Sequence, residues 1–337
     1  MRKPGEEKST KKILSKVIIT ILSLITLIFA AYKFTPWPSA LLFRYVFEKD
    51  AEQTNLKLEK YVPKGVSEIL DIQYDPNDSD AKLDVYYPHK IEKKLPVIVW
   101  IHGGGWISGD KRQSSNYLKI LSAKGYIVVS IDYSIAPEKN YPLPVQQTMA
   151  ALQFLEKNSN KFHIDFNSIF LAGDSAGSHI AIQTATIISD PKYAKLVNIS
   201  PSIKRDKIKG LILYCGPYAV ENIDLKGSFG SFLKTVLWSY SGKKDFMNDE
   251  YFKTASIIDH IGTELPPCFI SAGNDDPLLI HSQALAKKLN TLNVETDTLF
   301  FPDNLTPKLP HEYQFNLDTE SGKTALNRSL EFLKNNQ

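Results

Sequence analysis

Cysteine is scarce: Cys215 and Cys268 are the only two in 337 residues. Two thiols in a chain this long make no disulfide framework, and each sits in or beside an apolar run, where a thiol behaves as a small buried hydrophobe. Cys215 ends one strand-like run and Cys268 begins the next, so two free thiols are expected rather than a bridge. Basic runs are missing from the body as well. Six of the 40 Lys/Arg and two of the 37 Asp/Glu fall in the first sixteen residues, which leaves 34 basic against 35 acidic side chains beyond Lys16. A near-neutral body without basic clusters offers no footprint for nucleic acid. Metal and nucleotide motifs fail at single positions. His311-Glu312-Tyr313-Gln314-Phe315 opens like a zinc helix but ends on Phe315, and Gly322-Lys323-Thr324 has Leu317 where a phosphate loop needs its first glycine. No metal or cofactor is implied. The chain also lacks internal repeats and low-complexity tracts, and its 43% hydrophobic and 23% charged composition suits one large domain with a full core.

Charge is absent from Val17 to Tyr32, an almost wholly apolar stretch. Sixteen residues of helix cover about 24 Å, short of a hydrocarbon core of about 30 Å. Extension from Ile13 to Phe34 closes the gap if Lys16 and Lys33 snorkel along their aliphatic stems. Arg2, Lys3, Lys8, Lys11, Lys12 and Lys16 precede the segment, and only Lys33 and Arg44 follow it closely, so the expected orientation holds the amino terminus in the cytoplasm and the body outside. A cleaved signal peptide is the rival, but a cut after Ala31 or Ala30 would put Phe29 or Ile28 where a small residue is required. Tyr32, Phe34 and Trp37 suit an interfacial aromatic belt. The expected organisation is a basic tail over residues 1–12, a transmembrane helix over 13–34, a stalk or cap segment over 35–66, and an α/β body over 67–337.

From Glu68 onward, strand-like runs alternate with helix-like ones. The strands are expected at Ile69–Tyr74, Leu83–Tyr87, Val97–His102, Ile127–Tyr133, Ile169–Gly173, Gly210–Cys215, Cys268–Ala272 and Thr296–Phe301; the later ones are continuous Val/Ile-rich runs, as in a parallel sheet buried on both faces. Helical patterns fall at Tyr117–Lys124, Val145–Asn158, Ala176–Ile188, Ser282–Asn290 and Thr324–Leu333. Such alternation means an α/β domain. One insertion, over residues 216–262, breaks the rhythm with Phe229, Phe232, Leu233, Val236, Leu237, Trp238 and Tyr240. An apolar insertion at the carboxyl side of a sheet usually covers a site, so a helical lid is expected there, although an ordinary pair of packed helices would read the same way.

Two glycine motifs carry the chemistry: His102-Gly103-Gly104-Gly105-Trp106, and Gly173-Asp174-Ser175-Ala176-Gly177. The second pattern alone arises by chance in about one chain in ten of this length. Here, however, it falls between a buried strand and a helix, so Ser175 lies on a strand-to-helix turn that Gly173 and Gly177 leave clear, with the helix amino terminus aimed at any anion formed on the serine. A serine hydroxyl needs a base, and the base needs something to hold its tautomer. Among seven histidines, His102 is committed to the glycine loop, His179 lies along the nucleophile helix, His89 and His163 precede their strands, and His260 and His281 lie in the insertion and a turn; His311 alone follows the last strand into its loop. The orienting acid should come between serine and base at a strand end, where Asp275 and Asp276 stand together; Asp276 is preferred, with the spare carboxylate expected to cap the next helix. The glycine-loop amides and that of Ala176 can form a hole for a tetrahedral oxyanion.

With HGGGW, GDSAG, Asp276-Pro277-Leu278 and a downstream His311 in that order, the chain resembles the hormone-sensitive-lipase-like branch of the α/β-hydrolase carboxylesterases. Tyr133-Ser134-Ile135-Ala136-Pro137-Glu138 is similar to that branch's YRLAPE segment, and the resemblance covers roughly Leu83 to Leu333. It implies a mostly parallel eight-stranded sheet flanked by helices, a triad of Ser175, Asp276 and His311, oxyanion donors at Gly104, Gly105 and Ala176, and cofactor-free hydrolysis of short-chain, small-molecule carboxylic esters. Glu312 departs from the family, which commonly has glycine after the base. The anchor resembles the arrangement of arylacetamide deacetylase and leaves amide or deacetylation substrates open. A peptidase or amidase on the same triad, and a hydrolase fold kept only as a binding module, are the other readings.

Overall fold

A computed structural model describes residues 4–220, 223, 225–227 and 229–337, and of residues 4–11 only the helical backbone. The head of the expected basic tail, residues 1–3, and positions 221, 222, 224 and 228 of the expected insertion lie outside the described residues.

All eight expected strands form, with shifted ends: β1 (Val66–Gln73), β2 (Lys82–Pro88), β3 (Leu95–Ile101), β4 (Ile127–Ile131), β5 (Ile164–Asp174), β6 (Ile208–Tyr214), β7 (Cys268–Ser271) and β8 (Thr296–Leu299). They make one sheet in the order β1-β2-β4-β3-β5-β6-β7-β8. β2 pairs antiparallel with β1 and β4, and the remaining pairs are parallel. The mostly parallel sheet flanked by helices is the α/β-hydrolase architecture. β3 lies between β4 and β5, so the chain reverses its direction of travel there, and the carboxyl ends of β3 and β5 open onto the crevice where α/β sheets place their sites.

The helices are α1 (Pro4–Phe34), α2 (Trp37–Leu58), α3 (Ser115–Ser122), α4 (Leu143–Lys157), α5 (Ala176–Ser189), α6 (Pro191–Val197), α7 (Gly230–Ser241), α8 (Glu250–Lys253), α9 (Leu279–Thr291) and α10 (Glu320–Asn335). The pleat of β3 shows why both faces need helical cover. Val97, Val99 and Ile101 enter one core with Val145 and Leu152 of α4 and Ile180 of α5, whereas Ile98 and Trp100 enter the other with Leu118 and Leu121 of α3 and Leu333 of α10. Within α1, Lys12–Phe34 is long and apolar enough to cross a membrane and none of it is buried, a test that signal sequences also pass. Within the expected stalk or cap segment α2 starts at Trp37, with Pro36 at its N-cap and Pro38 in its first turn, where a missing N–H costs nothing. Residues of the expected lid supply α7 and α8.

A close backbone approach joins β3, β5 and α5. A Cβ on Gly177 would lie 1.9 Å from the Ile101 carbonyl oxygen and 2.5 Å from that of His102. Gly262, by contrast, has nothing within 4 Å of its Cβ direction. Gly177→Ala should therefore destabilise the protein by about 1–3 kcal/mol or more through forced separation of helix and sheet, and Gly262→Ala should stay within about 1 kcal/mol of wild type. Denaturant midpoints of the two variants, measured side by side in detergent, check this.

Candidate active site

Ser175 sits between β5 and α5 with φ 50 and ψ −119, a conformation that costs an L-residue on the order of 1–3 kcal/mol and persists only when its surroundings impose it. Two groups impose it. The Ser175 N–H donates to the Tyr214 carbonyl at 2.8 Å, and the Gly173 and Gly177 backbones pack together too tightly for any side chain. The residue is only 8% exposed, and that exposure faces a cavity of about 420 Å³.

The long loop after β8 brings His311 to the serine. Its Nε2 lies 3.1 Å from Ser175 Oγ, and its Nδ1 lies 3.0 and 2.9 Å from the two carboxylate oxygens of Asp276. With the ring proton on Nδ1 donated to Asp276, Nε2 is free to accept from the hydroxyl. Asp276, in the turn after β7, also accepts the Leu278 N–H at 2.7 Å, which fixes its rotamer. Asp275 points to solvent and does not cap α9, which starts without any side-chain cap. The expectation of a spare capping carboxylate fails because Asp276 itself satisfies the turn. Burial pushes the His311 imidazole down, and the charge of Asp276 with its hydrogen bond pushes it up, so that its pKa lies above the ordinary value. Burial also pushes the Cys215 thiol up to about 12, so it is neutral in the working range and the attraction operating there is that of Asp276. Cys215, Asp276 and His311 present donor atoms within 4.8 Å of one another. Both imidazole nitrogens are already engaged by Ser175 and Asp276, so this cluster is the hydrogen-bonded triplet with a protonated thiol beside it rather than a metal cage. Cys268 is likewise a buried free thiol.

The glycine loop after β3 bends back toward the serine. Gly104 has φ +100, and its carbonyl accepts from the Ile107 and Ser108 N–H groups at 3.2 and 3.1 Å and from Ser108 Oγ at 2.9 Å. Its carbonyl thus faces the loop interior, and Gly104, Gly105, Ser175, Ala176 and His311 all line the same cavity. Two other buried histidines are engaged elsewhere. His102 stacks on Tyr133 at 4.2 Å, and His179 Nε2 pairs with the Ala255 carbonyl at 2.7 Å, with burial pushing the His179 pKa down to about 4.

Three features were not drawn from the sequence. The first is a pair of acids, Asp174 before Ser175 and Glu312 after His311. Asp174 is fully buried, and its Oδ1 accepts the Trp100 indole N–H at 2.9 Å. Its carboxyl meets that of Glu312, and burial raises the pKa of both, with the adjacent Asp174 charge raising Glu312 further. Such a pair holds one proton between two carboxylates, with Glu312 the protonated partner. Glu312 Oε1 lies 3.7 Å from His311 Nε2, and the side chain is 30% exposed toward the cavity. The only signal in the sequence is that acids flank both reactive residues. The second feature is the part played by α2, whose Phe47, Ala51, Asn55 and Leu58 line the cavity opposite Phe232 and Val236 of α7. Phe232 receives the edges of Phe43 and Phe47 at 5.0 and 5.2 Å. The third is Arg44 on α2, whose guanidinium pairs bidentately with Glu138 at 2.7 and 2.6 Å and donates to the carbonyls of Ile107 and Ala136 at 2.6 and 2.9 Å.

Comparison with known proteins agrees with this architecture. An acetyl esterase of Salmonella dublin is 24% identical over 238 residues, covering 67% of this chain and 68% of its own length. A putative alpha/beta hydrolase of Acanthamoeba polyphaga mimivirus is 26% identical over 231 residues, and the chain spans 64% of it. Esterase LipC of Mycobacterium tuberculosis is 28% identical over 212 residues, 62% of this chain and 51% of that one. Among solved structures, esterase B from Lactobacillus rhamnosis superposes with a TM-score of 0.72 at 24% identity over 89% of this chain and 100% of its own, a likeness of fold. The BD-FAE family model matches residues 83–289, a stretch that contains the glycine loop, Ser175 and Asp276. Since that match takes in well over half of the sequence and most of the sheet, the chain belongs to the BD-FAE family.

Proposed function

We propose that this chain is a serine carboxylesterase that hydrolyses short-chain carboxylic esters through an acyl-enzyme on Ser175, His311 and Asp276, within the hormone-sensitive-lipase-like branch that HGGGW and GDSAG suggest. The observation that carries the reading is the unbroken hydrogen-bonded line from Ser175 Oγ through both nitrogens of His311 to Asp276, beside amides of the glycine loop. The esterase names of the Salmonella and Mycobacterium relatives point the same way.

In the first half-reaction, Ser175 Oγ attacks the ester carbonyl carbon while its proton passes to His311 Nε2. The carbonyl oxygen becomes an oxyanion that the amides of Gly104, Gly105 and Ala176 receive, and Asp276 stabilises the imidazolium. Collapse breaks the bond to the alcohol oxygen, which leaves with the proton from Nε2. Water then repeats the sequence on the acyl-enzyme and releases the acid. No cofactor is needed. The basic residues ahead of an apolar helix support a single-pass anchor with the amino terminus inside and the body outside the cytoplasm.

Ser175→Ala should lower turnover of p-nitrophenyl butyrate by on the order of 10⁶, abolish fluorophosphonate labelling and leave the thermal transition intact; wild-type turnover in this variant would refute the nucleophile. The same assay run on aminoacyl anilides separates esterase from amidase.

The pH dependence has a defined sign. His311 must be neutral to accept the serine proton, and its raised pKa means that kcat/KM is lost as pH falls through a value above the ordinary imidazole range. Asp276→Asn should move that limb down and cost on the order of 10⁴ in kcat.

Glu312 acts at the other limb. It is neutral below its raised pKa, and above it a second negative charge appears in the cavity in which the oxyanion would form, so activity should fall. Glu312→Gln keeps a donor toward Asp174 but cannot ionise. It should retain most of the neutral-pH activity and lose the alkaline descent, which full pH profiles of both proteins test.

A further inference from the structure

The outward side of α2 is apolar where a water-exposed helix should be polar. Leu41, Leu42, Tyr45 and Val46 are 48%, 56%, 66% and 51% exposed, and Trp37 beside them is 41% exposed. At 100° per residue, these outward positions fall on one side of the helix, while Ala40, Phe43, Arg44 and Phe47 fall on the other, against the body. On this outward side charge begins only at Glu48 and Lys49, and the outward positions that follow, Glu52 and Gln53, are polar. The apolar stretch, residues 37–46, spans about 15 Å of helix. It follows directly on the membrane-length helix α1, with only Thr35 and Pro36 between them.

This face cannot roll into the protein. Arg44, on the inner side, is locked by its fork onto Glu138 and the carbonyls of Ile107 and Ala136. The end of α1 is tied to the segment after α7, where Lys244 Nζ donates to the Lys33 carbonyl at 2.6 Å and lies 5.0 Å over the Trp238 ring. The apolar face is thus fixed on the helix whose inner side meets the part of the cavity lined by Phe47 of α2 and by Phe229 and Phe232 at the head of α7, where Phe229, 39% exposed and packed on Phe232 at 4.4 Å, carries the cavity lining out to the surface.

We propose that residues 37–46 of α2 are seated in the surface of the bilayer that holds α1, so that the cavity mouth between α2 and α7 opens at the leaflet and the enzyme takes amphiphilic esters from it: a short acyl group in the cavity, on an alcohol whose apolar tail remains among the lipids. This rests on the esterase and anchor readings above. Apolar area continuous with a membrane span, ending where charge begins, is what an interfacial helix requires. A second copy of the chain is the other possible occupant, and it makes a different prediction.

The test uses the full chain in phosphatidylcholine vesicles. A fluorophore attached to Leu42→Cys or Tyr45→Cys should be quenched by brominated lipid, whereas one at Glu52→Cys should not. Equal quenching at all three sites, quenching at none, or disulfide cross-linking between copies through Leu42→Cys would overturn the seating. This readout does not depend on catalysis, so it stands even if the esterase reading fails. For substrate delivery, Leu42→Glu combined with Val46→Glu should slow hydrolysis of hexadecyl butyrate carried in the vesicles by about ten-fold or more and leave soluble p-nitrophenyl acetate within about two-fold of wild type. Equal effects on both esters, or none on either, would overturn delivery from the leaflet. Failure of wild type on p-nitrophenyl acetate would instead count against the esterase reading.

Discussion

The buried carboxyl of Asp174 is the point on which the rest of the site depends. One oxygen accepts the Trp100 indole N–H and so ties the end of β5 to β3. The other lies only 2.2 Å from where a Gly103 Cβ would stand, so the glycine loop can close over it only because that position carries no side chain. The same carboxyl meets Glu312, the residue after His311. A single acid thereby joins nucleophile turn, glycine loop and base loop, three segments that the chain order keeps far apart. An unpaired charge here would be expensive to bury; sharing a proton with Glu312 lets the pair carry one charge rather than two.

Strain and packing act together at the neighbouring residue. Ser175 holds a positive φ because Gly173 and Gly177 let α5 sit directly against the Ile101 and His102 carbonyls. Relaxing the serine would require moving the helix off the sheet, and that would open the core formed by Ile101, Ala176 and Ile180. The hydroxyl is therefore presented by the fold, within hydrogen-bond reach of His311, which in turn pairs with Asp276.

Much of this was legible in the sequence because it rests on local rules. Buried parallel strands read as Val/Ile runs, and a Gly-x-Ser-x-Gly turn has few other uses between strand and helix, so the eight strands and the position of Ser175 follow from short-range pattern. What could not be read was pairing across long separations. Arg44 looks like a charge flanking a membrane segment until Ile107, Ala136 and Glu138 close around it, and residues 35–66 read equally as a stalk or a cap until Phe43 and Phe47 meet Phe232. Asp275 and Asp276 are chemically equal in sequence; only the turn that aims one at His311 and leaves the other in solvent separates them. Helix α6 went unseen because seven residues opening on Asp190-Pro191 read as a turn before they read as a helix.

Glu312 shows how magnitudes decide a residue choice. Its backbone is left-handed, φ 59 and ψ 27, where glycine would be free and an L-residue loses about 1–2 kcal/mol. A hydrogen bond to a charged partner contributes about 1.5–3 kcal/mol, enough to offset that strain when the partner is the otherwise unsatisfied oxygen of Asp174. With glycine at 312, that oxygen would need water or another donor, and the base loop would lose its tie to the nucleophile turn. Glutamate therefore costs the fold little or nothing while adding a titrating group 3.7 Å from the His311 imidazole. The strain is local and the gain is shared by three loops, so the tie survives at position 312 only with a side chain that can still donate to Asp174.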